Sequence, residues 1–181
     1  MKIKELLEWV KTIVIAVVLV FIIKLFLFGN YVVEGESMEP NFHDGQNIIV
    51  NKILYTFREP DRGEVIVLHA PDGRDFIKRV IGLEGETVEV LGDDVYIDGQ
   101  VLEEEYLQDI VKEYNDQGLN YNTIDFEEQE VPEGHVFVMG DNRPRSSDSR
   151  SVKVGFIPVE DVVGRADIIY WPFSDIQWIR Y

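Results

Sequence analysis

The sequence predicts a mainly β protein, an antiparallel, barrel-like β domain behind one N-terminal transmembrane helix. Three observations point to it. The 181 residues, 45% hydrophobic and 28% charged, suffice for one globular domain plus an anchor. The only long apolar run lies near the N-terminus, and from Gln46 onward short runs of β-forming residues alternate with turn chemistry. No internal repeat, low-complexity tract or Gly/Ser linker interrupts this order.

Thr12 to Ile23 carries no charge, and the apolar run continues past Lys24 to Phe28. Counted from Trp9, about twenty residues are available, enough for a hydrocarbon core of ~30 Å at ~1.5 Å per residue. Apolar residues on every face argue against a core helix of a globular domain. Lys2, Lys4 and Lys11 precede the run, whereas Gly29 to Asn51 holds no Lys or Arg and four acids. The positive-inside rule then assigns residues 1–11 to the cytoplasm, 12–28 to the membrane and 29–181 to the outside. No A-x-A pair of small residues stands around Phe28 to Val33, so the run reads as an uncleaved signal anchor rather than a removable signal peptide.

Strands are expected at 47–50, 64–68, 75–81, 87–90, 95–97, 135–139 and 162–170. Between the earlier ones stand Pro60-Asp61-Arg62-Gly63, Pro71-Asp72-Gly73, Gly92-Asp93-Asp94 and Asp98-Gly99, all turn formers. Residues 103–130 are acidic and aromatic and read as a variable, loosely structured insertion with one short helix.

The formal net charge is -17. Lys2, Lys4, Lys11 and Lys24 against Glu5 and Glu8 leave residues 1–28 at +2, so residues 29–181 carry -19. Such a surface argues against nucleic acid as a partner and gives no long-range attraction to anionic lipid. There is no cysteine, which excludes thiol catalysis and Cys-based metal sites. His43, His69 and His135 stand apart with no zinc-type spacing, so no metal is expected.

Three segments remain that could carry chemistry. Ser37 sits in V-E-G-E-S-M-E-P-N-F between Gly35 and Pro40, on backbone that neither helix nor regular sheet favours. A polar turn leaving a membrane helix is the plainer account of that serine. Without Cys or a catalytic histidine, a lysine whose amine is neutralised by burial is the strongest remaining base for a serine. Lys78 has Phe76 and Ile77 before it and Val80 and Ile81 after it. On a strand, Phe76 and Val80 share its face while Ile77 and Arg79 point the other way. A solvated strand lysine is the alternative. The third segment, G-D-N-R-P-R-S-S-D-S-R over 140–150, suits a rigid hydrogen-bonded loop in which Asp148 pairs with Arg150, or else an exposed flexible one.

Together these segments resemble the bacterial type I signal peptidase family in its Gram-positive-like, single-anchor form. S-M-E-P at 37–40 resembles its serine box, R-G-E-V-I-V at 62–67 a structural strand box, K-R-V-I-G-L-E-G-E at 78–86 its lysine box, and the 140–150 run its last box. The resemblance implies a membrane-anchored serine endopeptidase of signal peptidase or self-cleaving-repressor β type. Its Ser-Lys dyad would remove signal peptides from exported preproteins after small residues, at A-x-A type sites. It implies Ser37 as nucleophile, Lys78 as general base, Ser146 hydrogen-bonding the lysine amine, and Asp148 with Arg150 as a supporting ion pair. The Ser37 backbone N–H is the implied oxyanion donor. Some relatives add a serine hydroxyl two residues earlier, where this chain has Gly35. Val33, Met38, Phe76 and Ile77 are expected against the substrate. No cofactor is implied; the partners are preproteins and the lipid bilayer, and the location is the plasma membrane with the N-terminus cytoplasmic. Two rivals fit less well: the self-cleaving repressor proteases lack such an anchor, and an inactive binding module has no need of both Ser37 and Lys78.

Overall fold

The computed structural model describes residues 3–179. Met1 and Lys2, and the side chains of residues 3–4 and 22–26, lie outside the described residues, so the predicted anchor is described only in part. Helix α1 spans Ile3–Phe26. It starts earlier than the apolar run and ends two residues before Phe28, which already opens strand β1, Phe28–Val32. Every described side chain from Glu5 to Phe21 is exposed, including Trp9, Ile13, Leu19 and Phe21. Among the described residues no helix is long and apolar enough to cross a membrane.

The remaining strands are β2 (Asn47–Asn51), β3 (Val65–His69), β4 (Asp75–Gly82), β5 (Thr87–Leu91), β6 (Asp94–Ile97), β7 (Gln100–Val101), β8 (Phe126–Glu130), β9 (His135–Met139), β10 (Ile157–Pro158), β11 (Val162–Trp171) and β12 (Gln177–Trp178). They form a curled antiparallel sheet in the order β1-β2-β11-β3-β4-β9-β10, with β12 on β11, and a smaller sheet in the order β7-β6-β5-β8. Curling brings β1, at one end of the larger sheet, and the first half of β4 to either side of a common groove and makes the sheet a half-barrel rather than a closed one.

Alternation assigns the faces of this sheet. Val65 and Val67 of β3 enter one core with Val33, Met38, Phe42 and Ile77, while Ile66 and Leu68 enter a second with Phe76 and Val80. Lys78 lies directly opposite Ile66 and therefore points to the second face. A third core, with Ile81, Val88, Val95 and Phe137, joins the two sheets, and rings of Phe126, Phe137 and Phe156 meet there.

Residues 103–130 are more ordered than their composition suggests. A 3₁₀ turn at Glu105–Leu107 leads into α2, Gln108–Asp116, and β8 pairs with β5. Leu107 and Tyr121 are buried. The polar residues of this segment satisfy partners in the body of the protein, which hydropathy alone does not register.

Candidate active site

Ser37 lies on the turn that carries the chain from β1 to β2. Gly35 takes φ +82°, a conformation unfavourable for a residue with a side chain, and its N–H donates to Asp44 Oδ1 at 2.7 Å. Met38 and Phe42, both buried, pin the turn to the core, and the Phe42 N–H donates to the Met38 carbonyl at 2.9 Å. Ser37 is left half-buried, its side chain facing Lys78.

The Lys78 amine donates to Ser37 Oγ at 2.8 Å and to the Ile77 carbonyl at 2.7 Å. The side chain is 3% exposed, and Nζ lies 5.0 Å from the centre of the Phe76 ring. Burial disfavours the ammonium and pulls its pKa down to about 8, although the carboxylates of Asp148 and Asp141 push the other way. A substantial fraction of the amine is therefore neutral at mildly alkaline pH, as a base for a serine requires.

The 140–150 loop leaves β9 and returns beneath the serine turn. The Asn142 N–H donates to the Ser37 carbonyl at 3.0 Å, and Asn142 Nδ2 donates to the Glu36 carbonyl at 2.9 Å. A side chain at Gly140 would run into the Ser37 carbonyl and into Ser146 Cβ, so only glycine lets the two segments approach this closely. Asp148 accepts from Arg150 Nε and Nη2, both at 2.8 Å, and from the Gly140 N–H at 2.9 Å. Burial alone would raise this carboxyl; the paired arginine and the donated hydrogen bonds hold it below its ordinary value.

The expected hydrogen bond from Ser146 to the lysine amine is absent. Ser146 Oγ is buried beside Asp148 without a partner in hydrogen-bond geometry, while the amine is occupied by Ser37 and Ile77. Met38 does not face the substrate either, being wholly buried and absent from the lining of the groove that Val33, Phe76 and Ile77 do line. The Gly35 N–H is committed to Asp44, whereas the Ser37 N–H finds no acceptor among the described residues.

Sequence reading missed a second buried ion pair. Arg79, on the strand face opposite Lys78, donates from Nε and Nη2 to Asp141 at 2.9 and 2.7 Å, and the two side chains are 2% and 0% exposed. Its signal was present: 140–150 holds two aspartates and three arginines, so its charges need partners outside the loop.

The groove has a volume of about 760 Å³ and runs between residues 30–37 and 73–78. Both walls are sheet edges. β1 pairs only with β2, and β9 covers β4 only from Arg79 onward, leaving 75–78 open on that side.

Comparison with known proteins places the chain. The family model described as signal peptidase, peptidase S26, matches residues 6–171. Signal peptidase I S of Bacillus subtilis (strain 168) is 40% identical over 96% of this chain and 94% of its own length. Signal peptidase IB of Staphylococcus aureus (strain MRSA252) is 37% identical over 97% and 94%. The crystal structure of a signal peptidase I from Enterococcus faecalis V583 superposes with a TM-score of 0.53 at 41% identity, covering 60% of this chain and 97% of that one. With matches of this length on both sides, the chain belongs to the bacterial type I signal peptidases, serine peptidases of family S26.

Proposed function

We propose that this peptidase cuts signal peptides from exported preproteins with a Ser37–Lys78 dyad, after small residues, while α1 anchors it in the plasma membrane. The contact of 2.8 Å between the buried Lys78 amine and Ser37 Oγ is the observation that carries the dyad. In the ammonium form Nζ donates to Oγ. Once neutral, its lone pair accepts the Ser37 proton as Oγ attacks the scissile carbonyl, while Ile77 still fixes the amine. The resulting ammonium protonates the leaving amine, giving an acyl-enzyme, and the neutral amine then activates water for its hydrolysis. The free Ser37 N–H is directed to the carbonyl oxygen as its charge develops.

The two open edges suit an extended peptide lying as a strand between β1 and 75–78. Val33 and Ile77 are buried and close the floor, leaving shallow space that favours small side chains next to the scissile bond. For the anchor, the support is the exposed apolar surface of α1, which no part of the β body covers from Leu6 to Phe21 and which water would leave uncompensated.

The test is cleavage of a synthetic preprotein with an A-x-A site by the detergent-solubilised full chain, beside Ser37→Ala and Lys78→Ala. Both variants should lose activity, and wild-type kcat/KM should rise as pH passes about 8. Cleavage by folded Lys78→Ala at the wild-type rate would remove the lysine from the mechanism.

A further inference from the structure

We propose that residues 104–122 are a positioning strap for the 140–150 loop, holding Lys78's surroundings through Asn122 and Arg150 and the Ser37 turn through Tyr121 and Asp141. This rests on the dyad reading above. None of these strap residues lines the groove, so they touch neither substrate nor reacting atoms. Each instead engages a buried group of the loop or its partner arginine.

The contacts are specific and desolvated. Arg143, 2% exposed, donates to Glu104 at 2.9 and 2.5 Å and from Nε to the Gly140 carbonyl at 3.0 Å. The Tyr106 ring stacks on the Arg79 guanidinium at 3.9 Å, on the pair that holds Asp141. Tyr121 Oη donates to the Asp141 carbonyl at 2.9 Å while its ring rests edge-on against Tyr114 of α2, centroids 5.0 Å apart. Asn122 Oδ1 accepts from Arg150 Nη1, on the side of the guanidinium away from Asp148.

Asn122 is itself fixed, so it can fix something else. Its N–H donates to Asp93 Oδ1 at 2.7 Å, and its Nδ2 donates to the Gly92 and Ile124 carbonyls at 2.6 and 3.0 Å. The β5–β6 turn of the smaller sheet is thus linked by one side chain to Arg150, and by Arg150 to Asp148. From there two links reach the dyad. Asp148 receives the Gly140 N–H where that glycine meets the Ser37 carbonyl, and Asn142, next to the Asp141 carbonyl that Tyr121 holds, donates to the same Ser37 carbonyl.

The charges bearing on Lys78 are Asp148 and Asp141, each paired with an arginine, Arg150 and Arg79; Glu34, Glu36, Arg74, Asp75 and Arg145 also line the groove, Glu36 paired with Arg145. Releasing Arg150 from Asn122 leaves Asp148 less well compensated. The ammonium of Lys78 is then favoured, and a higher pH is needed to neutralise it.

The experiment compares full-length Tyr121→Phe and Asn122→Ala with wild type, using the preprotein substrate and with Ser37→Ala as the control for dyad-dependent cleavage. An inactive wild type would refute the proposed function and so the premise of the strap. Given an active wild type, the strap predicts kcat lower by roughly tenfold or more in both variants with KM within about twofold, the pattern of an interaction that serves the transition state. It also predicts that the acid limb of the Asn122→Ala profile moves up by roughly half a pH unit, a fraction of what a close charge produces. A merely structural role would lower the melting temperature and leave kcat and the limb unchanged in folded enzyme, and that result overturns the proposal. Tyr121→Phe removes one oxygen and keeps the ring. If Asn122→Ala does not fold, wild-type kcat in Tyr121→Phe is sufficient to overturn it.

Discussion

Lys78→Met should make the protein more stable at neutral pH while abolishing cleavage. Burial lowers the amine from its ordinary 10.5 to about 8, which corresponds to roughly 3 kcal/mol against the folded state wherever both folded and unfolded chains carry the ammonium. The folded value is the lower one, so the unfolded chain binds more protons between the two pH values. The penalty is therefore complete below pH 8, shrinks as pH rises from about 8 to 10.5, and is gone above that. Methionine has similar length, no charge to desolvate, and Phe76, Val80 and Ile66 around it. It forfeits the bonds to Ser37 Oγ and the Ile77 carbonyl, about 1 kcal/mol each at most, with Ser37 half-buried and able to turn to water. A net gain of roughly 1–2 kcal/mol remains at pH 7. Denaturant unfolding of both proteins in the same detergent, at intervals from pH 6 to pH 10, measures it. Equal or lower stability of Lys78→Met at pH 7, or a difference that does not shrink between pH 8 and pH 10, would refute the reasoning that burying the Lys78 ammonium costs the fold stability.

Gly140→Ala should leave strands and cores intact and lower kcat by roughly a hundredfold, because the added methyl must displace the Ser37 carbonyl or Ser146; a misplacement of about 1 Å suffices for such a loss. Wild-type kcat in this variant would show that the loop and the serine turn need not approach closely. Glu64 accepts from Arg58, Arg165, Tyr55 and the Asp61 N–H, and although burial works against its charge, those donors hold it at about 2. Stability should accordingly fall as pH drops from about 4.5 towards 2, and Glu64→Gln should cost roughly 2–3 kcal/mol at pH 7 by weakening the charge-assisted bonds to Arg58 and Arg165, which keep Asp61 and Asp167 as partners. Acid unfolding that is unchanged in Glu64→Gln would remove this cluster from the account.

Alternating burial made β2, β5 and β6 legible, whereas β3, β4 and β9 were legible as short apolar runs, buried almost throughout and bounded by turn residues. β8 was not legible: four of its five residues, Glu127 to Glu130, are exposed and polar, and only pairing with β5 makes it a strand. β1 was hidden for the opposite reason, since Phe28 continues the apolar texture of the helix before it. At the site, the apolar neighbours of Lys78 announced its burial, and the meeting of Ser37 with Lys78 follows once β3 and β4 are paired and the sheet curls. Met38 was misplaced because a turn, unlike a strand, does not alternate; the residue after the serine turns into the core. Glu104 as partner of Arg143 and Asn122 as second partner of Arg150 were invisible because they lie 39 and 28 residues away, on a segment whose composition looks like solvated loop.

Leu27 alone separates the end of α1 from the start of β1, and its carbonyl accepts the Lys52 N–H of the chain just past β2 at 3.0 Å. The junction is therefore a stiff coupling rather than a tether. A tilt or rotation of the helix moves the strand that forms one wall of the groove. Cutting the chain after the helix removes the footing of that wall. Without the helix, that wall is held by its five-residue pairing with β2 alone.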